Sequence, residues 1–150
     1  MGYYRYNRRR YYESKLQSSC VKYFRLNYRD LLLYSIPNGG LRDKRNAAIL
    51  KREGVMPGVP DLFLAHPSNG YHGLYIELKT GKNKLSHHQE KIIQKLEKEN
   101  YKVAVCYSLD EFISAIREYL GEPIFKNKNI HEENNIEQIS ELIKVDENNE

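Results

Sequence analysis

Pro57-Gly58-Val59-Pro60-Asp61, answered sixteen residues later by Glu77-Leu78-Lys79, decides the reading of this 150-residue chain. The first stretch is a proline- and glycine-rich loop. Pro60 has no backbone N–H and holds its own φ, so it suits the mouth of a strand whose first residue is Asp61. Leu62-Phe63-Leu64-Ala65 continues that strand, and His66-Pro67-Ser68-Asn69-Gly70 turns the chain. Tyr71 to Lys79 reads as the returning strand. Its residues alternate, with Leu74, Ile76 and Leu78 on one face and Tyr75, Glu77 and Lys79 on the other. Paired as a hairpin, the two strands bring Asp61 near Glu77 at one edge of a sheet. Two carboxylates converging beside an ammonium can hold a Mg²⁺-type ion and an attacking water. Taken alone, the Glu77 face would read as a polar face in water. Asp61 in register with it, Glu13 upstream and the wider motif pattern of the chain together favour a site.

Outward from this hairpin the chain falls into regular elements. Toward the N-terminus, Leu31 to Ile36 is a short apolar run bounded by Pro37-Asn38-Gly39-Gly40, as expected of a buried strand ending in a turn. Between it and the loop, Asp43 is placed to cap a helix from Lys44 to Glu53, with Gly54 as its C′ residue. Before it, Glu13 to Arg29 has an apolar stripe of Leu16, Cys20, Tyr23 and Phe24 at helical spacing. Glu13 suits a helix N-terminus, and Gln17 follows one turn later on the same face. Beyond the hairpin, Ser86-x-x-Gln89 has capping-box spacing and opens a helix buried through Ile92, Ile93 and Leu96. Tyr101 to Tyr107 reads as an internal strand. Ser108 caps a last helix, buried through Phe112, Ile113, Ile116 and Leu120, that closes at Gly121 and Pro123. The order is α-β-α-β-β-α-β-α.

The motifs also carry a resemblance. Pro60-Asp61 with Glu77-x-Lys79 resembles the PD-(D/E)XK nuclease superfamily. The wider set is similar to its VRR-NUC branch: Glu13, Pro37-Asn38-Gly39-Gly40, Gly54-x-x-Pro57-Gly58-Val59-Pro60-Asp61-Leu62, Ile76-Glu77-x-Lys79 and Ser86-x-x-Gln89, spanning about residues 13 to 120. The bare D…ExK pattern recurs by chance in surface strands, and the ordered set is far more specific. The resemblance implies a restriction-endonuclease-like fold, an α/β mixed sheet flanked by helices. It implies catalytic roles for Glu13, Asp61, Glu77, Lys79 and Gln89. Asp61, Glu77, the backbone carbonyl of Leu78 and waters would hold Mg²⁺ or Mn²⁺ rather than zinc. Glu13 would join from outside that set or serve a second ion, and Gln89 would point back toward the metal. Small stand-alone members of the family are linked to branched DNA, which they cut as dimers leaving 5′-phosphates.

Composition agrees with a partner of this kind. Hydrophobic content of 40% and charged content of 29% fit one globular domain with one core. Residues 121–150 hold eight acids and three lysines; residues 1–120 hold 21 basic and 12 acidic residues. A basic body with an acidic tail points to a polyanion. Arg8, Arg9 and Arg10, in the Tyr/Arg-rich arm 1–12, are candidate phosphate contacts, with tyrosines able to stack on unpaired bases. Arg42, Lys44, Arg45, Lys82 and Lys84 are further candidates, each also readable as a solvated charge. Cys20 and Cys106 lack metal-type spacing and read as reduced, structural thiols. His87 and His88 are adjacent, so they occupy different faces of a helix and do not form a zinc pair. No apolar run approaches about 20 residues, and no secretory leader or nucleotide-binding loop is visible.

The expectation is a nuclease domain over 13–121, an N-terminal basic arm, and a flexible acidic tail over 122–150. Its activity would be metal-dependent hydrolysis of DNA phosphodiesters, selective for branched or Holliday-junction-like structure because no separate reading head is present. It would work as a homodimer in repair, recombination or phage DNA processing, in the cytoplasm of a bacterial host or encoded by a phage. The alternatives are a non-catalytic nucleic-acid-binding module on the same fold and a sequence-specific restriction-type endonuclease.

Overall fold

A computed structural model describes residues 2–37 and 44–123, with side chains placed over 11–37 and 48–123. Four helices and four strands alternate in the expected order: α1 Gly2–Asn27, β1 Leu33–Ser35, α2 Lys44–Arg52, β2 Leu62–Leu64, β3 Leu74–Leu78, α3 His87–Lys98, β4 Lys102–Cys106 and α4 Leu109–Leu120. The strands form one mixed sheet in the order β1-β2-β3-β4. The first three are antiparallel neighbours, and β4 lies parallel to β3 after the α3 crossover.

The core lies on one face of the sheet. Leu62 and Leu64 of β2 and Leu74, Ile76 and Leu78 of β3 point inward, as period-two alternation requires. Cys20 and Phe24 of α1 and Phe112, Ile116 and Tyr119 of α4 close over them. Each fully buried Leu, Ile or Phe contributes roughly 1.5–3 kcal/mol of hydrophobic stabilisation. Tyr119 is a core residue that the helical pattern did not single out. Its ring packs inside while its hydroxyl donates to His66 O at 2.7 Å. α3 covers the opposite face beside β4 and is anchored by Ile92; Ile93 and Leu96 are half-buried.

Several boundaries differ from expectation for identifiable reasons. α1 starts at Gly2 rather than Glu13, so the segment expected as an arm has helical backbone. Between Tyr3 and Asn27 there is no Pro or Gly to stop propagation. β1 is shorter than the run 31–36 and is not buried along its length: Leu33 is inside, but Leu32 is 60% exposed. β4 is an edge strand rather than an internal one, because β3 is its only neighbour in the sheet of described residues. Its apolar character reflects packing of α3 and α4 against it. β3 starts at Leu74, since Ser68 to Tyr71 forms a tight turn with Asn69 and Gly70 at φ 49° and 84°.

The helix ends follow their capping residues. Ser86 and Gln89 complete the expected capping box on α3. Ser108 caps α4, which ends on Gly121 at φ 73°. Gly54 follows α2 at φ 96°. Asp43, Asn38-Gly39-Gly40 and the tail from residue 124 lie outside the described residues. No helix among the described residues is long and apolar enough to cross a membrane.

Candidate active site

The site forms where β2 and β3 stop pairing. Leu62 faces Ile76, so the next ranks would set Asp61 opposite Glu77 and Pro60 opposite Leu78. Ile36 N donates to Asp61 O at 2.7 Å, which turns the Asp61 backbone toward β1 and that of Pro60 toward β3. Pro60 has no N–H to give to the Leu78 carbonyl. The Leu78 N–H donates instead to Asp61 Oδ2 at 2.8 Å. The ladder therefore ends with a carboxylate in place of a backbone acceptor. Asp61 sits one residue ahead of β2 rather than inside it. Its carboxylate is pinned, and the Leu78 carbonyl on the same edge receives no ladder hydrogen bond from Pro60.

Glu77 and Lys79, two apart on β3, share the face opposite the core. Both are buried, at 3% and 6% exposure, so this is not a solvated polar face. Lys79 Nζ lies 2.9 Å from Glu77 Oε1 and donates to Gln89 Oε1 at 2.9 Å. Gln89 Nε2 donates to Glu77 Oε1. Gln89 Oε1 also accepts from Ser86 N at 3.0 Å, while Ser86 Oγ accepts from Gln89 N at 3.3 Å. Gln89 thus belongs to the α3 capping box and is also bonded to Glu77 and Lys79. One amide, in the first turn of α3, helps cap the helix and holds the Glu77–Lys79 pair.

Burial is the main electrostatic cost here. It pushes the Glu77 carboxyl up to about 7, with Asp61 raising it further and Lys79 and Gln89 opposing. Burial also raises Asp61, against the Leu78 N–H and Lys79, and the Glu13 charge adds to the rise. Glu13, on α1, is near enough for its charge to act on Asp61. Two carboxylates held above their ordinary range are a place where a cation is favoured.

The donor set also has the right chemistry for a hard divalent ion. The hydrogen bonds engage Oδ2 of Asp61 and Oε1 of Glu77, leaving the other oxygen of each and the Leu78 carbonyl. Among the described residues no three His, Cys, Asp or Glu side chains gather closely enough to hold a metal between them. Two carboxylates, a carbonyl and waters match Mg²⁺ or Mn²⁺, which keep several waters, and not zinc.

The remaining candidates divide. Lys82 and Lys84 are exposed in the loop after β3, and Gln17 is half-buried on α1. Arg42 lies outside the described residues, as do the side chains of Arg8, Arg9, Arg10, Lys44 and Arg45. Cys20 and Cys106 are free and buried in the core, where desolvation pushes each thiol up to about 12. They are inert packing residues. His87 pairs with Glu90 at 3.6 Å on the exposed side of α3. What the sequence left undetected is the role of Pro60 in freeing the Leu78 carbonyl. The signal was present as a proline directly before the acid, but it needs the hairpin register to be read.

The comparisons with known proteins follow the same lines. The family model described as "VRR-NUC domain" matches residues 5–110. A solved structure titled "VRR_NUC domain protein" superposes with a TM-score of 0.61 at 29% identity, over 73% of this chain and 88% of that one. No curated protein matches the chain. The chain belongs to the VRR-NUC family, a nuclease-type domain of the PD-(D/E)XK superfamily.

Proposed function

We propose that the chain is a divalent-metal-dependent DNA endonuclease that acts on branched DNA. The observation that carries this reading is the end of the β2–β3 ladder. There Asp61, Glu77 and the Leu78 carbonyl converge beside Lys79, and two of the three bear the cost of burial. Asp61 and Glu77 would hold Mg²⁺ or Mn²⁺ together with the Leu78 carbonyl. When bound, the ion lowers the pKa of water and neutralises charge developing on phosphate.

The chain's own groups supply orientation. Lys79, held by Glu77 and Gln89, aims its ammonium at the attacking water and at the charged phosphorane. Gln89 fixes that ammonium from the rigid start of α3. Glu13 acts from outside the metal-binding set through its field on Asp61. In-line attack of water breaks the P–O3′ bond and leaves a 5′-phosphate. Arg8, Arg9, Arg10, Arg42, Lys44, Arg45, Lys82 and Lys84 are proposed as phosphate contacts. Contacts to phosphate position a duplex without reading its sequence, which favours recognition of structure. Two copies acting together would cut both strands of a junction.

The test is cleavage of matched linear duplex, splayed-arm, flap and four-way-junction DNA in Mg²⁺, Mn²⁺ or EDTA. Metal-dependent cutting confined to the branched forms is expected. Cutting of every form retains the nuclease and removes the structural selectivity. Binding without cutting in either metal overturns the enzyme.

A further inference from the structure

The sheet face that carries Glu77 does not end at the carboxylates. Phe63 lies two residues beyond Asp61 on β2, and Tyr75 lies two residues before Glu77 on β3. The register sets them opposite each other. Their rings sit 4.4 Å apart. Tyr34, the partner of Phe63 on β1, meets it edge-on at 5.7 Å. Tyr101 meets Phe63 at 5.9 Å and Tyr75 at 5.4 Å, and His72 meets Tyr101 at 5.7 Å. Tyr34 is 46% exposed; His72 is exposed, and Phe63, Tyr75 and Tyr101 are half-buried. Gly73 allows the surface to be low. A Cβ there would lie 2.6 Å from Phe63 Cζ, so only glycine lets that ring settle onto β3.

We propose that this ring cluster is a platform on which an unpaired base next to the scissile phosphate stacks. The inference rests on the nuclease reading above and names the feature of DNA that the site selects. A strand lying over Asp61 and Glu77 meets the rings one two-residue step along the sheet, about 7 Å away. Aromatic faces bind bases without regard to identity, and tyrosine keeps a wet hydroxyl while doing so. Bases inside a continuous duplex are already stacked, so the platform favours flaps, splayed arms and junctions.

Charge and position argue against other occupants. Residues 1–120 carry 21 basic and 12 acidic residues, which suits a polyanion. The segment 121–150 holds eight acids and would set negative charge beside carboxylates that burial already penalises. A second copy seated on the rings would cover the adjoining hydrolytic site.

The experiment uses the full chain in EDTA, so that it does not depend on cleavage. Flap and splayed-arm DNA carry 2-aminopurine at successive unpaired positions near the branch, and a linear duplex serves as control. Stacking on a ring quenches the probe. Wild type is expected to quench one position strongly. Tyr34→Leu is expected to lose that quench and to bind branched DNA about five- to hundredfold more weakly, with linear duplex unchanged. Tyr34→Phe keeps the ring and is expected to restore both, which separates stacking from a fold defect. Equal weakening on linear duplex, or wild-type quenching by Tyr34→Leu, overturns the platform. A change in sedimentation mass of DNA-free Tyr34→Leu assigns the patch to self-association and also overturns it. Cutting with an unchanged Tyr34→Leu profile removes the platform and keeps the nuclease. Ring-dependent quenching without cutting in any metal does the reverse.

Discussion

The two faces of β3 are both buried, and they differ in the sign of what burial does. Leu74, Ile76 and Leu78 face Phe24, Phe112 and Ile116, where loss of water stabilises the fold. Glu77 and Lys79, on the other side of the same five-residue strand and its extension, lose water at a cost. The cost is offset in part by each other and by Gln89. A fold that needed only stability would place an apolar residue at position 77. The contrast teaches that one strand can serve as both scaffold and site because alternation keeps the two sets of side chains apart.

The sharpest way to break the contrast is to substitute each face in turn. Lys79→Ala should lower the cleavage rate by about 100-fold or more, the scale seen when one charge-stabilising group is removed. It should also push Glu77 further up, since it takes away the ammonium that opposes burial. Ile76→Ala should do the opposite. It costs roughly 2–5 kcal/mol of stability, read as a fall in thermal midpoint, and leaves the rate per folded molecule near wild type at low temperature. If Ile76→Ala removed activity from protein shown to be folded, the separation of the faces would fail.

The pH dependence sharpens the same point. Burial pushes the Glu77 carboxyl up from its ordinary 4.5 to about 7. The folded state therefore binds the extra proton. Its stabilising effect is complete below 4.5 and is lost as pH rises through 7. Without metal, stability should fall across that window by an amount on the order of 3 kcal/mol. Asp61, raised as well, contributes in the same direction. Thermal midpoints from pH 4 to 8 in EDTA check this. Glu77→Gln should flatten the profile, and saturating Mg²⁺ should flatten it too, by favouring the charged form. The smallest expected effect is at the helix start. Ser86→Ala removes the cap at Gln89 N and should cost about 1 kcal/mol with no change in the pH profile.

Much of this was legible in the sequence because it depends on short-range rules. Alternation over 74–79 placed Glu77 and Lys79 together, and the capping box placed Gln89 at a helix start. What was not legible depends on which strands become neighbours. The apolar run 102–106 reads the same whether the strand is central or at an edge, since helices on its faces demand the same residues. Tyr119 was missed because its burial needs a long-range acceptor, His66 O. The helical backbone before Glu13 was missed because tyrosine and arginine alternation also suits an extended arm. Phe63 and Tyr75 were readable as strand residues, but only the register shows that they continue the line of Asp61 and Glu77.

The central claim is that the pinned Asp61 carboxylate, besides accepting the Leu78 N–H, serves metal-dependent cleavage. Measuring Asp61→Ala beside wild type tests it most directly, on a four-way junction in Mg²⁺, with cleavage and binding followed on the same protein. The account predicts no detectable cutting and binding as tight as wild type or tighter, because a metal ligand and a negative charge are removed together. Cutting by Asp61→Ala at the wild-type rate would contradict it.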